Sequence, residues 1–183
     1  PVTPAAPDGL TAGALPNGPL PTGYRIVRRV GEGGMGTVYE AVDVSLERRV
    51  AVKRMRSEIR NDPRVHVIEG VNARYLTPGQ LPEGLRRFDL VTIDVSFISL
   101  RHILPVVPPL LAPGGHVVAL VKPQFEAGKG DVGKGGIVKD ERIHARVVDE
   151  VIEVARQVGL SQRGLESSPI TGTEGNREFL LHL

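Results

Sequence analysis

Cysteine and tryptophan are absent from the 183 residues, and aromatic side chains make up only 4%. Without a thiol, disulfides, thiolate metal sites and thiol nucleophiles are excluded together, and a reducing compartment is the expected setting. Charge of one sign is also missing. The 23 Lys and Arg nearly balance the 21 Asp and Glu, leaving +2. No whole-chain polycation is available for nucleic acid, so any basic surface must be local. No apolar run approaches the roughly 20 residues that cross a bilayer, and the first residues lack a charged-then-apolar signal pattern. The expectation is a soluble, cytoplasmic protein with no membrane partner. The five histidines show no ligand spacing with acidic partners, and no metal site is expected.

What is present is a core-forming fraction of 40% hydrophobic residues, mostly Val, Leu, Ile and Ala, which suits a sheet covered by helices. Residues 1–23 are Pro, Gly, Ala and Thr with a single charge, a composition expected to form a flexible leader. From Tyr24 the pattern changes. "YRIVRRV", "TVYEAVDV" and "RRVAVKRM" predict three strands without an intervening helix, an antiparallel meander over 24–56.

After Arg56 strands and helices alternate, as in a parallel α/β sheet. The expected strands are 65–70, 88–96 and 115–123. The stretch 99–115 predicts a helix kinked or shortened by Pro105, Pro108 and Pro109. The strongest helix is 140–158, with Asp140 as its cap and Ile143, Val147, Val151, Val154 and Val158 on one face. "QRGLESSPI" and "REFLLHL" read as a terminal antiparallel strand pair.

The first half contains Gly31-x-Gly33-x-x-Gly36-x-Val38 followed by Val50-Ala51-Val52-Lys53. Glycines of this spacing let backbone amides close over phosphates, and a following lysine pairs with them. The stretch 24–56 therefore resembles the opening strands of a bacterial serine/threonine protein kinase, which implies ATP as a ligand of Gly31, Gly33, Gly36, Val38 and Lys53. Phosphoryl transfer also needs the His-Arg-Asp and Asp-Phe-Gly motifs, and neither occurs in the chain. A working kinase is excluded. A Rossmann reading of the same glycines requires a helix directly after them, whereas "TVYEAVDV" has strand character.

In the second half, Asp94 ends one expected strand and Lys122 ends the next. Ligands of open α/β sheets gather at the carboxyl ends of strands, so both residues should face one crevice, where Glu178, starting the terminal strand, can join them. The loop 122–139 carries five glycines and four lysines, among them Lys129 and Lys134, and suits contact with a phosphate backbone.

The segments "NDPRVHVIEGVNARYLTP", "DVSFISL", "VKPQFEAG" and "GN-x-EF" occur in order with natural spacing. Over about 57–183 the chain resembles the haemolysin A (TlyA-type) branch of FtsJ-like ribosomal RNA 2′-O-methyltransferases. The resemblance implies S-adenosylmethionine (SAM) as cofactor and ribosomal RNA as partner. It implies a Lys-Asp-Lys-Glu set around a ribose 2′-hydroxyl, whose last three members are Asp94, Lys122 and Glu178. It also places Asp43, Glu69, Asn72 and Asp94 on the cofactor side. The family's cofactor turn, which reads like Gly-x-Ser-Thr-Gly-Gly-Phe, is not found in the sequence.

The expected architecture is thus α/β. A partial Rossmann-like SAM-methyltransferase sheet over 57–183 follows a kinase-like three-strand segment over 24–56, with the seam between Lys53 and Arg64. Two functional readings stay open: a 2′-O-methyltransferase-like domain, and an ATP- or RNA-binding module or inactive chimera without catalysis.

Overall fold

The computed structural model describes residues 23–33, 36–128, 130–172 and 175–183. The expected leader 1–23 lies outside them apart from Gly23. Two compact units divide between Val67 and Ile68.

The first unit is a meander of β1 (Tyr24–Gly33), β2 (Gly36–Asp43) and β3 (Arg48–Met55), each pair antiparallel. β2 is central and alternates buried with half-buried positions, Tyr39 and Ala41 among the buried ones. That period of two is the one read from "TVYEAVDV". Gly36 has no room for a side chain, since a Cβ there would lie 2.9 Å from the carbonyl carbon of Arg54. β3 is followed by the single-turn helix α1 (Ser57–Arg60).

The second unit holds a four-stranded sheet ordered β4-β5-β7-β6, built from β4 (Phe88–Ile93), β5 (Leu111–Val121), β6 (Gly164–Ser167) and β7 (Phe179–His182). β4 and β5 run parallel, while β7 runs antiparallel to both β5 and β6. The fold is therefore mixed α/β, with the antiparallel terminal pair where the sequence placed it. Helix α2 (Pro123–Glu126) is one turn, and α3 (Glu141–Gln157) is the long helix.

Asp140 caps α3 by accepting a hydrogen bond from the Arg142 N–H at 2.8 Å. At the other end Gly159 takes a positive φ of 85° and Leu160 N–H reaches back to the Ala155 carbonyl. That closure satisfies a terminal carbonyl and folds the buried Leu160 under the helix. The buried stripe is His144, Val147, Val148, Val151 and Ala155. It is rotated by about one position from the expected one, so Ile143, Val154 and Val158 flank the core at half-buried positions. Val148, Val151 and Ala155, with Val154 and Val158 against them, pack with Ile93, Leu100, Leu104, Val117, Val121 and Leu181 into one cluster.

Two expected elements are corrected. The stretch 99–115 is three successive 3-10 turns, Leu100–His102, Leu104–Val106 and Pro108–Leu110, and β5 already begins at Leu111. Pro105, Pro108 and Pro109 lack the N–H donors that an α-helix requires, so only short turns survive, and Leu100, Leu104 and Leu110 are still buried from them. The expected strand 65–70 is absent. Its backbone pairs with no strand, and Val67 and Ile68 are exposed. A β-branched run that no neighbouring strand pairs with has no reason to become a strand. Among the described residues no helix is long and apolar enough to cross a membrane.

Candidate active site

Parallel β4 and β5 bring Asp94 and Lys122, the residues directly after each strand, to the same end of the sheet. β7 runs the opposite way, and Val121 pairs with Phe179. Glu178, the residue before Phe179, therefore enters the sheet at the end where Lys122 leaves it. Strand direction alone gathers an acid, a base and a second acid from positions 94, 122 and 178.

The side chains follow the backbone. Lys122 Nζ lies 2.6 Å from Asp94 Oδ1 and 3.3 Å from Ser96 Oγ. The lysine side chain is only 12% exposed while Asp94 is 67% exposed, so the ammonium is held inside and its partner opens to solvent. Glu178 is buried and its Oε1 accepts from Gln124 Nε2 at 3.1 Å. The other amide atom, Gln124 Oε1, is buried without a hydrogen-bond partner. Gly172 backs the same carboxylate, because a Cβ on it would stand 2.7 Å from Glu178 Cδ and closer still to Oε1.

Two further residues shape this end of the sheet. Glu126 is buried and accepts from Ser99 Oγ at 2.5 Å and from the Leu100 N–H at 2.8 Å. It ties "VKPQFEAG" to "DVSFISL", which gives those two segments a shared structural reason to be present together. Phe97 is 91% exposed and holds φ at 63°, a left-handed conformation that costs a non-glycine residue roughly 1 kcal/mol or more. Its ring centroid is 5.0 Å from that of Phe125. A strained, solvent-facing aromatic beside a half-buried ion pair offers a face on which a planar ring can stack. Gln124, Gly172, Glu126 and Phe97 all escaped the sequence reading. "VKPQFEAG" and "DVSFISL" contain three of them, but a motif does not say which of its members touch.

The remaining candidates are dispersed. Asp43 is in the other unit, where its Oδ1 accepts from Ser45 Oγ, Ser45 N–H and Leu46 N–H within the β2–β3 turn. The Ser45 hydroxyl above all, with those backbone donors, holds its carboxyl below the usual carboxylate range. That carboxylate is engaged as a turn former. Glu69 falls in the segment 65–70, which forms no strand, and so not at a strand end. Asn72 Oδ1 accepts from Arg74 N–H and caps the 3-10 turn Ala73–Tyr75. Lys134 is exposed, and Lys129 lies outside the described residues. Gly31, Val38 and Lys53 sit in one row across β1, β2 and β3, and Gly33 pairs with Gly36. The row matches the opening of a kinase, with no kinase catalytic motif anywhere in the chain to use it.

Among the described residues β4 is the outer strand of its sheet, the segment 65–70 does not pair with it, and Asn72 is committed to a turn.

The model of the FtsJ-like methyltransferase family matches residues 28–183. The YqxC protein of Bacillus subtilis is 52% identical over 134 residues, which are 73% of this chain and 47% of that protein. The 16S/23S rRNA (cytidine-2′-O)-methyltransferase TlyA of Mycobacterium tuberculosis is 46% identical over 125 residues, 68% of this chain and 46% of the relative. A solved hemolysin-type structure from Lactococcus lactis superimposes with a TM-score of 0.66 at 45% identity, covering 69% of this chain and 60% of that one. The chain thus spans about half the length of the curated relatives it matches. Over 40 residues, 22% of the chain, the sequence is 58% identical to the serine/threonine-protein kinase PknA of Mycobacterium tuberculosis, 9% of that protein. With the family model matching most of its length, this chain belongs to the FtsJ-like methyltransferases.

Proposed function

We propose that the chain carries the acceptor side of a SAM-dependent ribosomal RNA 2′-O-ribose methyltransferase, with Asp94, Lys122 and Glu178 as its catalytic residues. The observation that carries the reading is the 2.6 Å pair of Lys122 and Asp94 at the sheet end where Glu178 also enters. A ribose 2′-hydroxyl becomes a nucleophile as it loses its proton. In its amine form Lys122 accepts that proton, and the ammonium that results is held by Asp94, whose exposed face keeps the pair in exchange with water. Glu178, oriented by Gln124, completes the polar wall. The chemistry assigned to these residues is confined to the acceptor hydroxyl and its proton.

The test is incorporation of tritiated methyl from SAM into purified ribosomal RNA, comparing wild type with Lys122→Ala. Removing a positioned proton acceptor should lower the rate by about 10²-fold or more while RNA binding is retained. Turnover unaffected by Lys122→Ala would overturn the assignment of the base. No incorporation by the wild-type chain would overturn the catalytic reading and leave RNA binding as the activity to measure.

A further inference from the structure

The lysine-bearing loop after α2 is held at both ends. Near its start the Asp131 carboxylate pairs with Arg146 of α3. At its far end Val138 is buried, and His144 Nε2 lies 2.9 Å from the Val138 carbonyl. Between them residues 133–137 close a tight turn, with Gly133 N–H on the Ile137 carbonyl and Gly136 N–H on the Gly133 carbonyl. Gly135 and Gly136 both adopt positive φ, near 80°, which a side chain there would resist. Lys134 is displayed, exposed, on this turn.

One buried side chain grips the turn from outside the loop. Asn176 is 3% exposed. Its Nδ2 donates to the Gly136 carbonyl at 3.0 Å and its Oδ1 accepts from the Val138 N–H at 3.1 Å. Its own backbone carbonyl accepts from Gly172 N–H, the glycine that backs the Glu178 carboxylate. Asn176 stands two residues before Glu178, so one short segment holds both the loop and the acid.

We propose that Asn176 is a positioning residue for RNA recognition: it fixes the Lys134 turn to the segment entering β7, so that Lys134 meets an RNA phosphate while the target ribose is at the Asp94–Lys122–Glu178 end. This inference rests on the RNA reading above and names how that site holds its substrate. The residue type is dictated by the two groups it must satisfy. A carbonyl and an N–H, two residues apart, need one donor and one acceptor on a rigid plane. Asparagine supplies both, aspartate presents an oxygen to the Gly136 carbonyl, and alanine supplies neither. Without the grip the glycine-rich turn samples many conformations, and the lysine must be ordered anew each time RNA binds.

The experiment is a double-mutant cycle on the full chain. Variants Asn176→Ala, Asn176→Asp, Lys134→Ala and Asn176→Ala/Lys134→Ala are compared for affinity to a fluorescein-labelled RNA hairpin with an unpaired loop. Amide hydrogen exchange at Val138 is followed in the same proteins. Each Asn176 variant should weaken RNA binding about tenfold, and the Val138 amide should lose protection while α3 keeps its own. The double variant should bind no more weakly than Lys134→Ala alone, because Asn176 acts through that lysine. Additive losses, or affinity unchanged in both Asn176 variants, would overturn the proposal. Asn176→Asp, nearly the same size, serves if alanine prevents folding. If the wild-type chain binds no hairpin, the RNA reading fails by itself, and unchanged Val138 exchange in the Asn176 variants would overturn the loop grip separately.

Discussion

Replacing Glu126 by alanine should be among the more costly single changes in the second unit, although Glu126 has no place in the proposed chemistry. Its carboxylate is buried and accepts two hydrogen bonds, from the Ser99 hydroxyl and from the N–H of Leu100, a residue only 1% exposed. Alanine leaves that N–H buried without an acceptor, which costs about 1–3 kcal/mol, and removes a charge-assisted bond worth a similar amount. Release of the buried carboxylate's desolvation offsets part of this, so a net loss of about 3 kcal/mol is expected. Glu126→Gln keeps an oxygen for Leu100 and loses only the charge, so about 1 kcal/mol should go. For a unit of this size those losses correspond to falls in Tm of roughly 10 °C and 4 °C. The assay is urea or thermal unfolding followed by the far-ultraviolet helix signal, since the chain has no tryptophan to report by fluorescence. A loss within about 0.5 kcal/mol for the alanine variant would refute the reasoning, because such a value means the Leu100 N–H has found another acceptor. Equal losses for Gln and Ala would refute the part of the argument that rests on the retained oxygen.

Gly172→Ala should damage activity more than stability. Its Cβ would come within 2.7 Å of Glu178 Cδ, so the carboxylate must retreat by about 1 Å to restore normal contact. A displacement of that size at a catalytic group lowers kcat about 10²-fold, with KM for RNA little changed. Methyl-transfer kinetics at wild-type level would show that Glu178 is not part of the chemistry. In the first unit, Asp43 gives a pH dependence with a definite sign. Its folded carboxyl titrates below the usual range, held there chiefly by the Ser45 hydroxyl, so its contribution is present above the unfolded value and lost as pH falls through the folded one. Between about pH 5 and pH 3 the β1–β3 sheet should weaken more steeply in wild type than in Asp43→Asn, by circular dichroism; equal slopes would exclude the turn carboxylate as the cause.

Much of the site was legible because it depends on strand direction. Apolar runs ending in Asp94 and Lys122 declare two strand ends, and a parallel pair puts those ends together. Glu178 joins them through a terminal antiparallel pair that "QRGLESSPI" and "REFLLHL" also announced. The helix 141–157 was legible from its 3.6-residue period and its Asp140 cap, both local properties. What misled was equally physical. "VHVIEG" has the composition of a strand, but pairing belongs to the partner, and β4 takes none from it. Asp43 and Asn72 have the chemistry of ligand residues, and here each short side chain accepts from a backbone N–H two residues on.

By itself, then, the amino-acid order determined the α/β class and the end of the sheet at which two carboxylates and a lysine assemble. These follow from periodicity, strand direction and residue type, which act over a few positions. Only the tertiary structure decided that Lys122 bonds Asp94, that Gln124 and Gly172 bracket Glu178, and that Asn176 reaches 40 residues back to Gly136. Such contacts join segments far apart in the chain, and their partners are chosen by how the sheet and α3 pack, which no local pattern encodes.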